Sequence, residues 1–161
     1  MIILGIDPGT AITGYGVVRR ENHNQFTVLG YGAIRTPAKQ RADHRLKTIY
    51  AEIRKLIIEF EPDCMAIEQL FFNKNANSAL AVGQARGVAI LAGSHSGLEI
   101  TEYTPLQVKM AVTGYGKASK DQVGYMVRVL LGLSEVPRPD DAADALAICL
   151  CHGYNSRKWG A

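Results

Sequence analysis

Apolar and polar positions along the chain repeat in two rhythms. Ile2 to Asp7 is an almost unbroken apolar run, the pattern of a central strand covered on both faces. Gly14 to Arg19 and Phe26 to Ile34 form two further strand-like runs around the polar stretch Arg20 to Gln25, which predicts an antiparallel meander with the first strand. From Leu46 the rhythm changes. Leu46, Ile49, Tyr50, Ile53, Leu56, Ile57 and Phe60 are spaced three and four apart, so they line one face of a helix that packs on the sheet. Pro62-Asp63 ends it, and Cys64 to Glu68 is a short apolar run that, like the first, ends on a carboxylate. A strand, helix, strand order favours parallel pairing through a crossover, and that pairing puts Asp7 and Glu68 at one carboxyl-terminal edge.

Residues Ala76 to Ser96 are rich in Ala and Gly, with Leu80, Val88 and Leu91 as an apolar stripe, and predict a packed helix suited to an interface. Glu99 to Tyr103 reads as the next strand. Thr104 to Gln107 and Ser119 to Gln122 each carry the Ser/Thr-x-x-Gln signature of a capped helix start. Pro137-Arg138-Pro139 is a rigid spacer before a last helix from about Asp141 to Tyr154. The chain contains no internal repeat, low-complexity segment or long linker, so residues 1–154 read as one α/β domain followed by a short polar tail, 155–161.

Composition narrows the class. The chain has 161 residues, 47% hydrophobic and 20% charged, as in an ordinary globular domain. No apolar run approaches the roughly eighteen residues of a membrane span, and the N-terminus has no signal-peptide pattern, so the expectation is a cytoplasmic protein with no membrane partner. Cys64, Cys149 and Cys151 lie among apolar residues with no zinc spacing, which suits reduced packing residues; His23, His44, His95 and His152 are scattered. A net charge of +3 does not by itself name a partner.

The acids carry more information. Asp7 before Pro8-Gly9 fits a turn-forming residue, since Asp side chains bond nearby backbone amides. In the last helix Asp140 fits an N-cap after Pro139, and acids in a first turn complement the helix dipole. Asp141 and Asp144, however, continue the stripe of Ile148 that faces the core. Two strand-end acids and two inward helix acids would repel one another unless a cation or proton compensated. Oxygen ligands of this kind suit magnesium or manganese, and a pair of such ions is the usual clamp for phosphodiester cleavage.

The segments Ile3-Leu4-Gly5-Ile6-Asp7-Pro8-Gly9-Thr10, Thr13-Gly14-Tyr15-Gly16-Val17, Ala66-Ile67-Glu68-Gln69-Leu70-Phe71, Gly83-Gln84-Ala85-Arg86-Gly87-Val88 and Asp141-Ala142-Ala143-Asp144-Ala145-Leu146-Ala147 resemble, in order and over almost the whole chain, the bacterial RuvC family of Holliday-junction resolvases. The resemblance implies a ribonuclease-H-like fold, a mixed five-stranded sheet with helices on both faces, assembled as a homodimer. It implies that Asp7, Glu68, Asp141 and Asp144 are catalytic and bind metal, two Mg2+ ions per site with Mn2+ able to substitute. It implies hydrolysis of a four-way DNA junction by paired symmetric nicks that leave 5′-phosphate and 3′-hydroxyl ends, in company with a RuvA and RuvB branch-migration complex.

For DNA contact, residues 107 to 128 hold Lys109, Lys117, Lys120 and Arg128 against one acid, Asp121, a pattern that suits phosphates as well as a solvated helix face. The resemblance implies DNA contacts for Lys109 and Lys120; Lys117 is added from the cluster. It further implies that Phe71, the first of the Phe71-Phe72 pair, stacks at the exchange point of the junction. Gly114-Tyr115-Gly116-Lys117 is not a Walker A loop, because Ala111 and Ala118 stand where Gly and Ser or Thr are needed. Three rival classes follow from the same residues: an actin-like or sugar-kinase ATPase, which requires two lobes; a binder of branched DNA that does not cut; and a nuclease of the same fold acting on RNA–DNA hybrids.

Overall fold

A computed structural model describes residues 1–71 and 76–156. Five strands and five helices follow in the order β1 (Ile2–Asp7), β2 (Ile12–Asn22), β3 (Gln25–Arg35), α1 (Ala42–Phe60), β4 (Cys64–Glu68), α2 (Ala76–His95), β5 (Glu99–Tyr103), α3 (Pro105–Thr113), α4 (Lys120–Leu130) and α5 (Asp140–Asn155). The strands form one mixed sheet ordered β3-β2-β1-β4-β5, with β1 in the middle as its apolar run requires. The β1–β2 and β2–β3 pairs are antiparallel, and β1–β4 and β4–β5 are parallel.

Alternation along the strands sorts the core into two layers. Leu4, Ile6, Val17, Met65 and Ile67 pack with Ile49, Ile53 and the alanines of α2; Ile3, Val18, Cys64 and Ala66 pack with α5, α3 and α4. Helices therefore cover both faces. The meander strands are longer than the apolar runs suggest, because β2 and β3 pair onward through polar residues to Asn22 and Gln25. Asp63 Oδ2 accepts from the Ile2 amide at 2.6 Å, which ties the start of β1 to the start of β4 and so fixes their register. Both predicted capping boxes are present, at Thr104–Gln107 and Ser119–Gln122.

Three readings are refined. The Leu80–Val88–Leu91 stripe is divided: Leu80 is 62% and Leu91 47% exposed, Val88 packs against the core, and the inner face is Ala79, Ala85, Ala89, Ala92 and Gly93. The helix lies close to the sheet along this face of small residues, and a Cβ on Gly93 would stand 2.8 Å from Met65 Cε. Asp140 is not the N-cap of α5. Pro139 takes that position, its carbonyl accepting from the Ala142 amide at 2.9 Å, while Asp140 pairs with Arg138 at 3.2 Å. Finally, α5 is not one-faced: every residue from Ala145 to Gly153 is buried, because the helix is sandwiched between the sheet and the α3–α4 layer.

Candidate active site

The four acids meet through strand parity and close helix packing. Asp7 lies two residues beyond Gly5 and four beyond Ile3, so its side chain shares the α5 face of the sheet; Glu68 does the same after Cys64 and Ala66. The parallel register Ile6↔Ile67 sets the two acids side by side at the carboxyl-terminal edge. On the other flank Asp7 pairs with Gly14, and Gly5 with Gly16. These glycines let α5 rest on the strand backbones. A Cβ at Gly14 would collide with the Asp141 carbonyl, one at Gly5 would lie 2.6 Å from Cys149 Sγ, and one at Gly16 would lie 2.8 Å from Leu146 Cδ2. The first turn of α5, with Asp141 and Asp144, is thereby lowered onto the edge that holds Asp7 and Glu68. Gly14 and Gly16 carried no role in the sequence reading, although glycines two apart in a strand signal a close backbone approach.

Asp7 does not hold the turn that follows it. Thr13 Oγ1 donates to the Gly9 carbonyl at 2.6 Å, Thr36 Oγ1 donates to the Thr10 carbonyl at 2.6 Å, and among the described residues Asp7 makes no side-chain bond to that turn. Its carboxyl is instead pushed up to about 8, first by burial and then by the charges of Asp144, Glu68 and Asp141, with Lys120 pulling the other way. Burial and Asp144 raise Glu68 as well, against Lys120 and Lys109. Asp144 receives Lys120 Nζ at 3.3 Å, yet burial outweighs that pair and its carboxyl also titrates high; Lys120 in turn is raised by Asp144.

The donor set is all carboxylate, with more negative charge than Lys109 and Lys120 neutralise, and it fits hard divalent cations. Among the described residues no three acids are yet drawn together tightly enough to ligate one ion. Of the predicted DNA contacts, Lys109 and Lys120 act directly on the acids, whereas Lys117 stands exposed between α3 and α4. Phe71 is 56% exposed just beyond β4. Phe72 lies outside the described residues, as does most of the tail. The sequence reading also missed Arg86, whose side chain is largely covered beside the end of β4.

Comparison with known proteins adds to this geometry. The family model described as crossover junction endodeoxyribonuclease RuvC matches residues 3–152. Crossover junction endodeoxyribonuclease RuvC of Desulforamulus reducens is 56% identical over 160 residues, covering 99% of this chain and 98% of that protein. Its counterpart in Ruminiclostridium cellulolyticum is 58% identical over 161 residues, covering 100% and 96%. The structure of Thermus thermophilus RuvC in complex with a Holliday junction substrate superposes with a TM-score of 0.91 at 38% identity, covering 96% of this chain and 93% of that one.

Proposed function

Because the chain belongs to the RuvC family of crossover junction endodeoxyribonucleases, we propose that it resolves four-way DNA junctions through the carboxylates Asp7, Glu68, Asp141 and Asp144. The observation that carries this reading is the convergence of four acids on one sheet edge, with Asp7 held near 8 by burial and its neighbours. Acids so placed repel a phosphate unless cations lie between them. Two Mg2+ ions, or Mn2+, would supply Lewis-acid chemistry, activating water and stabilising the departing 3′ oxygen, and the products carry 5′-phosphate and 3′-hydroxyl ends.

The chain's own residues then divide the work. Asp7 and Glu68 hold cations from the strands, and Asp141 and Asp144 hold them from α5. Lys120 exchanges its carboxylate partner for a DNA phosphate, Lys109 supports the strand beside Glu68, and Lys117 adds a more distant phosphate contact. Phe71, exposed beyond β4, stacks on bases at the exchange point. The outward Leu80 and Leu91 of α2 suit burial against a second copy, and a two-fold dimer presents two sites for paired symmetric nicks. Residues 1–154 act as the single nuclease domain, in the cytoplasm with its DNA, and a RuvA and RuvB complex is the partner for branch migration.

The test is cleavage of a labelled four-way junction beside a linear duplex and an RNA–DNA hybrid, with Mg2+ or EDTA, for wild type, Asp141→Asn and Asp140→Asn. The expected result is symmetric, Mg2+-dependent cutting confined to the junction. Asp141→Asn should lose on the order of 10²-fold or more, as for removal of a group that stabilises developing charge. Asp140→Asn, which changes an exposed acid paired with Arg138, should cut as wild type does. Junction binding without cutting, or cutting of the hybrid alone, contradicts the proposal.

A further inference from the structure

Arg86 sits on α2, on the opposite side of the sheet from α5, and its side chain is only 18% exposed. Its Nε donates to the main-chain carbonyl of Glu68 at 3.2 Å, and its Nη2 pairs with the carboxylate of Glu102 on β5. Glu68 lies one residue past the last β1–β4 pair, Ile6↔Ile67, so on that flank no further rung secures it. Gln69 still donates to the Tyr103 carbonyl at 2.8 Å, after which the chain leaves the sheet toward Phe71. Arg86 therefore grips β4 at the residue where the ladder runs out. It does so from behind, because Ile67 and its partner Glu102 face the α2 side while Glu68 faces α5.

We propose that Arg86 is a positioning residue for the cutting reaction, fixing the end of β4 through the Glu68 carbonyl and Glu102 so that the Glu68 carboxylate is presented to metal on the α5 face. This rests on the reading of the four acids as the metal site. A guanidinium suits the task because its rigid fork reaches a carbonyl and a carboxylate at once, which a lysine ammonium on a flexible stem does not. Ala85 and Ala89, both fully buried beside it, bring the α2 backbone close enough for the reach to be short.

The experiment titrates Mn2+ into the DNA-free protein by calorimetry and measures the Mg2+ midpoint of single-turnover junction cleavage, with junction affinity and melting temperature in EDTA alongside. Arg86→Gln is expected to weaken Mn2+ binding about 10-fold or more and to raise the Mg2+ midpoint similarly, the range seen when groups that orient metal ligands are lost. Junction affinity in EDTA should stay near wild type. Arg86→Lys should rescue little, because charge without the fork is not enough. Glu102→Gln, altering the more exposed partner, should weaken Mn2+ binding less, and it carries the test should Arg86→Gln fail to fold. Unchanged Mn2+ affinity and Mg2+ midpoint in both Arg86→Gln and Glu102→Gln, with only the melting temperature lowered, would overturn the proposal. Asp7→Asn separates the two readings: full Mn2+ affinity in that variant would remove the metal site itself, and the role of Arg86 with it.

Discussion

The two faces of the sheet are packed by different means. On the α1–α2 side Ile49, Ile53, Leu4 and Ile6 fill the interface with large aliphatic side chains, all fully buried. On the α5 side the strands also offer Gly5, Gly14 and Gly16, and the helix answers with Ala142, Ala145 and Cys149, so near the acidic edge the helix backbone itself rests on the strands. The first kind of contact tolerates compensation, since volume lost in one side chain is partly refilled by others. The second does not, because a methyl group placed between two backbones has nowhere to go. The placement of Asp141 and Asp144 over Asp7 and Glu68 depends on the second.

Substitution on the aliphatic face separates these roles with the largest effect on stability. Ile53→Ala is expected to cost about 2–5 kcal/mol, read as a fall in melting temperature, while junction cleavage well below that temperature stays near wild type. Loss of cleavage out of proportion to unfolding would break the division between the faces.

A smaller effect comes from the charge trapped at the acidic edge. Asp7 titrates near 8 in the folded protein against an ordinary value of 3.8. Between those values the folded chain holds a proton that the unfolded chain releases, so this carboxyl destabilises the metal-free protein increasingly as pH rises from about 4 to 8. In EDTA, Asp7→Asn should therefore melt above wild type at pH 8, and the gap should close toward pH 4. Mg2+ should stabilise wild type more at pH 8 than at pH 5.5 and leave Asp7→Asn little changed. A gap that widens toward acid pH contradicts the cause given for the shift.

Much of this architecture is written locally. The runs ending on Asp7 and Glu68 announce strands, and their parity alone puts both acids on one face. Thr104–Gln107 and Ser119–Gln122 announce helix starts because each cap is closed within four residues. What was not legible depends on partners distant in sequence. Alanine and leucine both read as apolar along α2, and only the distance to the sheet decides that Ala85 and Ala89 turn inward while Leu80 and Leu91 turn out. Asp140 and Pro139 compete for one cap, and the proline, already extended at ψ 174°, takes it. Gly14 and Gly16 are visible in the sequence, but the helix they admit lies at the other end of the chain, and Arg86 gives no sign of Glu68 and Glu102 until α2 is folded onto the sheet.

Gly14→Ala adds one methyl group at the point where the Asp141 backbone rests on the strand paired with Asp7, and so probes whether that close approach places the acids. The measurement is Mn2+ affinity of the DNA-free protein together with the rate of junction cleavage in Mg2+, at a temperature where circular dichroism shows the variant folded. The expected result is metal affinity lowered about 10-fold or more and cleavage lowered on the order of 10²-fold, as for a misplacement of about 1 Å at a reacting centre. A folded Gly14→Ala protein that binds Mn2+ and cuts junctions as wild type does would contradict it.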